Sequence, residues 1–180
     1  MTKDLSPLKI ARRQKVLDVA EHLFIGLGYR GTTMTAVAER VGMSKVTVYN
    51  YFADKDVLFE AVARGIADRL RAVVIQALES NASLPGAIAD ALIQKHAMVF
   101  DLVRSSDFSS ELFAAKSLIA VTTFAKMDED ILSALGNKIG DPDLARIVFN
   151  SASGIANGAA DKLQMSQDIK RLIEAIVRAC

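Results

Sequence analysis

Apolar residues return along this chain at spacings of three and four, in blocks long enough to be helices. Val16, Ala20, Leu23, Phe24 and Leu27 make the first stripe. Ser6-Pro7 supplies its entry, serine as cap and proline in the first turn, and Gly26 to Gly28 ends it. Val37, Ala38 and Val41 make a short second stripe that Thr33 or Thr35 can cap with a hydroxyl. Gly42 permits the left-handed backbone that stops a helix, and Met43 can pack under the turn. Ser44 then caps a third helix from Lys45 to about Phe52, with Val48 and Phe52 facing inward.

The pattern lengthens after this point. Asp56 to Glu79 reads as one long helix whose buried face is Val57, Leu58, Ala61, Val62, Ile66, Leu70, Val73 and Val74. At ~36 Å it is long enough to serve two halves of a small protein. Ser80 to Ser83 breaks the pattern, and Pro85-Gly86 suits a new helix carrying Ile88, Ala91, Leu92, Lys95, Val99, Leu102 and Val103 to about Arg104. From Phe108 to Lys138 the periodicity stays helical, closed by Gly136 and Gly140, with either one bend or a break near Val121 to Thr123. Asp141-Pro142 opens a further helix running to about Leu163, and a last helix follows Ser166. The predicted class is all-α: an N-terminal three-helix domain over residues 1–55 and a C-terminal helical body over residues 56–180.

Composition agrees with a packed helical protein. Of 180 residues 51% are apolar, enough for a sizeable core, and three prolines leave long segments uninterrupted. No apolar run reaches the ~18 residues of a membrane span, and the N-terminus lacks the apolar core of a leader, so a cytoplasmic location and no membrane partner are expected. The single cysteine, Cys180, excludes an internal disulfide and a cysteine metal cluster. Charge is distributed unevenly. Residues 1–55 hold nine Lys/Arg against five acids, a net of +4, whereas the remainder holds 13 against 16, a net of −3. A basic head of this kind attracts phosphate while the body does not.

No catalytic pattern is present: there is no glycine-rich phosphate loop, no H-E-x-x-H and no nucleophile elbow. No cofactor or metal is expected. Asp128-Glu129-Asp130 lacks the glycine and spacing of a calcium loop and reads as a solvated helix face.

The two short helices around Gly42 have the layout of a helix-turn-helix, and the outward residues of the second suit DNA. Lys45 and Thr47 can reach base edges or phosphates, and the Val46 methyls can touch the thymine methyl group. Tyr49 and Tyr51 carry hydroxyls for phosphate oxygens, Asn50 lies beside them, and Lys55 adds a charge just beyond. Ser44, Thr33 and Thr35 complete the candidate DNA-facing set. The leading turn of the first helix, with Lys9, Arg12, Arg13 and Lys15, either lies along the DNA backbone or simply solubilises the helix.

The ordered run Gly28-Tyr29-Arg30-Gly31-Thr32-Thr33-Met34, then Val37 to Lys45, Thr47 to Phe52 and Lys55 to Phe59, resembles the N-terminal signature of the tetracycline-repressor (TetR/AcrR) family of bacterial regulators. The resemblance spans roughly residues 10 to 65. One departure is Val46, where many members carry glycine or proline, so the target DNA sequence does not follow. The family resemblance implies a homodimer on a palindromic operator of double-stranded DNA, released when an unidentified small-molecule effector binds in the body.

For that body the residues themselves offer two features. Met98, Phe100, Phe108, Phe113, Phe124, Met127 and Phe149 suit either a ligand pocket or a core, with His96 and Glu111 as polar candidates beside them. Ser151, Gly154, Gly158 and Ala159 make one side of a helix bare enough for close approach, with Ile155 among them in the candidate dimer surface, and Ile169, Leu172, Ile173 and Ile176 stripe the next. Pairing both helices with their copies gives a four-helix interface, as members of the resembling family do. Two other classes remain: a helical protein-binding adaptor, and an architectural DNA binder without an effector.

Overall fold

A computed structural model describes residues 6–80, 82–104 and 118–179, and among these it contains eight helices and no strand. In chain order they are α1 (Pro7–Gly31), α2 (Met34–Val41), α3 (Lys45–Tyr51), α4 (Lys55–Leu78), α5 (Leu84–Arg104), α6 (Leu118–Ile139), α7 (Pro142–Gly158) and α8 (Lys162–Ala179). The all-α expectation holds. The described residues divide into two compact units: 6–66 with 102–104 and 118–123, and 67–80 and 82–101 with 124–179. Helix α4 contributes its first half to one and its second half to the other.

In the first unit, α1 begins at Pro7 as expected, but the Ser6 side chain makes no cap. The Ser6 carbonyl instead accepts the amides of Lys9 and Ile10. The helix breaks at Gly28, whose φ of 71° and ψ of 173° belong to a region that side chains exclude. Thr32 is fully buried and donates to the Gly28 carbonyl at 2.8 Å, which fixes the exit of the chain. Leu27, expected inside, is 57% exposed: the buried stripe ends at Phe24, before the break at Gly28. Val16, Ala20, Leu23 and Phe24 do form the buried stripe, and Phe24 packs its ring edge-on against Phe59 of α4, centroids 5.1 Å apart.

Helix α4 starts at Lys55, one residue early, because Asp54 caps it: its carboxylate accepts the Val57 amide at 2.8 Å. Leu58, Phe59, Val62 and Ile66 take the inner face. Val57 sits off that face and is exposed, contrary to the pattern.

In the second unit, α5 and α6 are joined by an ion pair between Lys95 and Asp128, 3.2 Å, and α4 and α6 by one between Arg71 and Asp130, 3.0 Å. Two acids of the run read as a solvated face are therefore tied to partners. Helix α6 is continuous through Val121 to Thr123. It stops at Gly140, which has a φ of 81°, whereas Gly136 lies inside it with its Cα face against Pro142. The expected helix between Phe108 and Leu118 lies outside the described residues.

Helix α7 is capped as expected, Asp141 accepting the amides of Asp143 and Leu144, both at 3.0 Å. It ends at Gly158, not Leu163, and α8 begins at Lys162, ahead of the expected start after Ser166. The cause is a reciprocal cap: Asp161 accepts the Gln164 amide at 2.8 Å, and the Gln164 side chain accepts the Ala160 amide at 3.0 Å. The two helices contact each other, and Ala145, Val148, Phe149 and Ala152 on α7 and Met165, Ile169 and Ile173 on α8 are all buried. Ile169 and Ile173 are thus spent inside the chain, which removes them from the expected dimer surface.

Candidate nucleic-acid interface

Between α2 and α3 the backbone builds a turn from two defined caps. Gly42 adopts φ 72° and ψ 37°, its amide reaching back to Glu39 and that of Met43 to Ala38. This pair of bonds satisfies carbonyls at the end of α2 and reverses the chain in two residues. At the other ends, Thr33 Oγ1 accepts the Ala36 amide at 3.1 Å and Ser44 Oγ accepts the Thr47 amide at 3.2 Å. Both caps anticipated from sequence are present, with Thr33 the one used.

What α3 hides and what it presents follow from its length. Only Val48 is fully buried within it, and Phe52, directly after, is buried too. Lys45, Val46, Tyr49 and Asn50 are exposed, Val46 at 71% and Tyr49 at 48%. A β-branched apolar residue so open on a short polar face has no part in the fold. Thr47 and Tyr51 are half-buried. The Thr47 hydroxyl lies 2.8 Å from that of Ser44, so these two candidate DNA contacts are coupled to each other. Thr35 is half-buried beside the α2 entrance.

Lys55 is held more tightly than sequence implied. Its Nζ donates to the Tyr29 carbonyl at 2.9 Å and stands 4.0 Å from the centre of the Tyr29 ring. The Tyr29 hydroxyl in turn donates to Asp56 Oδ1. Burial, and then the hydrogen bond and charge of Asp56 with the charge of Asp54, push the Tyr29 phenol up to about 12. Tyr29 also stacks on Phe24 and meets Phe59 edge-on at 5.1 Å. This clasp fixes the start of α4 to the end of α1. It was missed because its members are 26 and 27 residues apart and no local spacing links them. Arg13 of α1 places its guanidinium 4.8 Å over the Phe52 ring, immediately behind α3.

Six of the candidates for the body, and those on α7 and α8, lie in the second unit. His96, Met127 and Phe149 are buried; Met98, Phe100 and Phe124 are half-buried. Phe108, Glu111 and Phe113 lie outside the described residues. Burial, with a smaller contribution from the Lys95 charge, lowers the His96 pKa to about 4. On α7, Ser151 and Ile155 are half-buried, and Gly154, Gly158 and Ile147 are exposed, Ile147 at 53%. Leu172 and Ile176 on α8 are half-buried too. Among the described residues no cluster of His, Cys, Asp and Glu suits a metal, and no helix is long and apolar enough to cross a membrane.

Residues 16–62 match the family model described as bacterial regulatory proteins, tetR family. A transcriptional repressor of Mycobacterium tuberculosis, HTH-type repressor Rv1474c, is 37% identical over 82 residues, 46% of this chain and 41% of that protein. The repressor AcnR of Corynebacterium diphtheriae is 40% identical over 65 residues, 36% of this chain and 34% of its own. The matched stretch thus covers well under half the length of these relatives. In fold, the chain resembles a TetR/AcrR-family transcriptional regulator from Thermobifida fusca, with TM-score 0.70, 18% identity, and 91% and 96% of the two chains covered. It also resembles the protein of a SmeT–triclosan complex, with TM-score 0.66, 18% identity, and 94% and 90% covered.

Proposed function

We propose that this chain, whose residues 16–62 match the tetR family model, is a homodimeric transcriptional repressor of that family that leaves a palindromic operator when a small molecule binds its body. The observation that carries the DNA-binding part is the outer face of α3. Lys45, Val46, Tyr49 and Asn50 stand clear of the core on a helix whose start and whose preceding turn are both fixed by caps. A surface that owes nothing to stability and is rigidly presented suits insertion into a major groove. Lys45 and Val46 then meet base edges, while Tyr49 and Tyr51 bond phosphates.

Two such helices reach successive grooves only if they stand about 34–36 Å apart, which requires a dimer. The outer faces of α7 and α8 are its proposed interface, centred on Ile147, Gly154, Ile155 and Gly158. The names of the relatives, repressors rather than enzymes, support the sign of regulation. The neighbour whose structure is a complex with triclosan supports a ligand-responsive body. Helix α4, shared by both units, is the element through which an effector acts: it must bind more tightly to the spacing that misfits DNA, since equal affinity for both states shifts nothing.

Selection of duplexes from a random pool, followed by titration of the selected operator, tests this reading. Tyr49→Phe is expected to weaken all duplexes alike, and Lys45→Ala to change the preferred sequence. Recovery of no enriched duplex rejects it.

A further inference from the structure

Lys95 and His96 are neighbours on α5, and each is only 6% exposed. Their surroundings differ. Lys95 has its charge matched by Asp128 at 3.2 Å and its ammonium 4.4 Å from the centre of the Phe149 ring. His96 Nε2 is buried with no hydrogen-bond partner among the described residues. An unpaired polar atom in a protein interior is costly, and folded chains carry few of them without a further use for the atom. The same helix and α6 also carry Met98, Phe100 and Phe124, half-buried and apolar.

We propose that His96 Nε2 is the hydrogen-bonding anchor of the effector site, and that the effector is an uncharged, largely apolar molecule bearing a hydroxyl or carbonyl group. The inference rests on the effector-responsive reading above and adds the class of ligand to it. Charge selects that class. The Lys95 ammonium is already balanced by Asp128, and the imidazole stays neutral because burial and the Lys95 charge both oppose its protonation. An ionised acid would meet a lysine whose charge is already matched by Asp128, and an amine would face the ammonium of Lys95. A hydroxyl or carbonyl brings neither penalty. The neutral ring accepts from a hydroxyl in one tautomer and donates to a carbonyl in the other.

The test uses the full chain without DNA, its histidines labelled with heavy nitrogen, and β-naphthol as probe against naphthalene and β-naphthoate of the same shape. β-Naphthol is expected to move the His96 Nε2 resonance, to leave that of exposed His22 in place, and to bind about tenfold more tightly than either control. His96→Phe keeps a ring without the nitrogen and should reduce β-naphthol affinity about tenfold while sparing naphthalene. The wild-type resonances decide the matter even if that variant does not fold. Equal affinity for the three probes, preference for the naphthoate, no binding, or binding with an unmoved His96 signal overturns the proposal. Operator affinity is titrated separately; its absence beside a normal His96 response overturns the regulator reading alone.

Discussion

Lys55 Nζ lies 2.9 Å from the carbonyl oxygen of Tyr29 and 4.0 Å from the centre of its ring, so one lysine ties the first turn of α4 to the last turn of α1. The next residue, Asp56, accepts the hydroxyl of the same tyrosine. Helix α4 therefore cannot rotate at its start without giving up a hydrogen bond, a cation–π contact and a charged acceptor together.

Tyr29→Phe should cost ~1 kcal/mol at neutral pH, the worth of a hydrogen bond on a partly solvated carboxylate. It should also change the alkaline limb. The Tyr29 pKa rises from 10.0 to about 12 on folding, so the native state holds its proton more tightly than the unfolded chain. That contribution is complete below pH 10.0 and is lost as pH climbs toward about 12. Urea midpoints measured across this window should fall less steeply for Tyr29→Phe than for the parent chain.

Two glycines hold the first unit's turns, and they should not be equally replaceable. Gly28 has φ 71° with ψ 173°, a conformation essentially confined to glycine, and is buried; Gly28→Ala should cost ~1–3 kcal/mol. Gly42 has φ 72° with ψ 37°, and an added Cβ meets nothing within 4 Å, so Gly42→Ala should cost only ~1 kcal/mol and Gly42→Asn less. Thermal unfolding of the three variants gives the order directly.

His96 should make the protein acid-sensitive in a defined range. Its pKa falls from 6.5 to about 4 on folding, so below 6.5 the unfolded chain takes up a proton that the native state refuses. Stability is complete above pH 6.5 and declines as pH falls toward about 4. Denaturant midpoints over that range should lose part of their pH slope in His96→Phe.

Ile147→Asp with Ile155→Asp should produce a folded monomer, because both residues lie on the outer face of α7 while Val148, Phe149 and Ala152 keep the inner one. Sedimentation gives the mass, and circular dichroism checks that the helices remain. Ile169→Asp, by contrast, should unfold the chain, since that side chain is fully buried.

Much of this was legible in the sequence where a single segment decides the outcome. Gly42 and Ser44 specify the turn and the start of α3 by backbone chemistry alone, and the structure reproduces both. Asp161 and Gln164 also form a readable cap, but the apolar stripe from Ile169 by itself points to a later start. What one segment cannot reveal is which of two apolar faces meets the chain's own core. Ile169 and Ile173 turned inward for that reason, while Leu27 and Val57 turned outward. Contacts between distant residues were illegible altogether: nothing near Lys55 in sequence announces Tyr29, and nothing near Asp128 announces Lys95.

Operator binding of the proposed kind requires α3 to enter a charged groove. Its most direct test is the affinity of the selected operator duplex for the parent chain and for Lys45→Ala/Tyr49→Phe, at 50 and 200 mM salt. With roughly 6–10 phosphate contacts per dimer, the parent should lose about 10³- to 10⁵-fold in affinity between the two salt concentrations, and the double variant should bind at least about tenfold more weakly at either. Binding indifferent to salt, or a folded double variant that binds as the parent does, would contradict it.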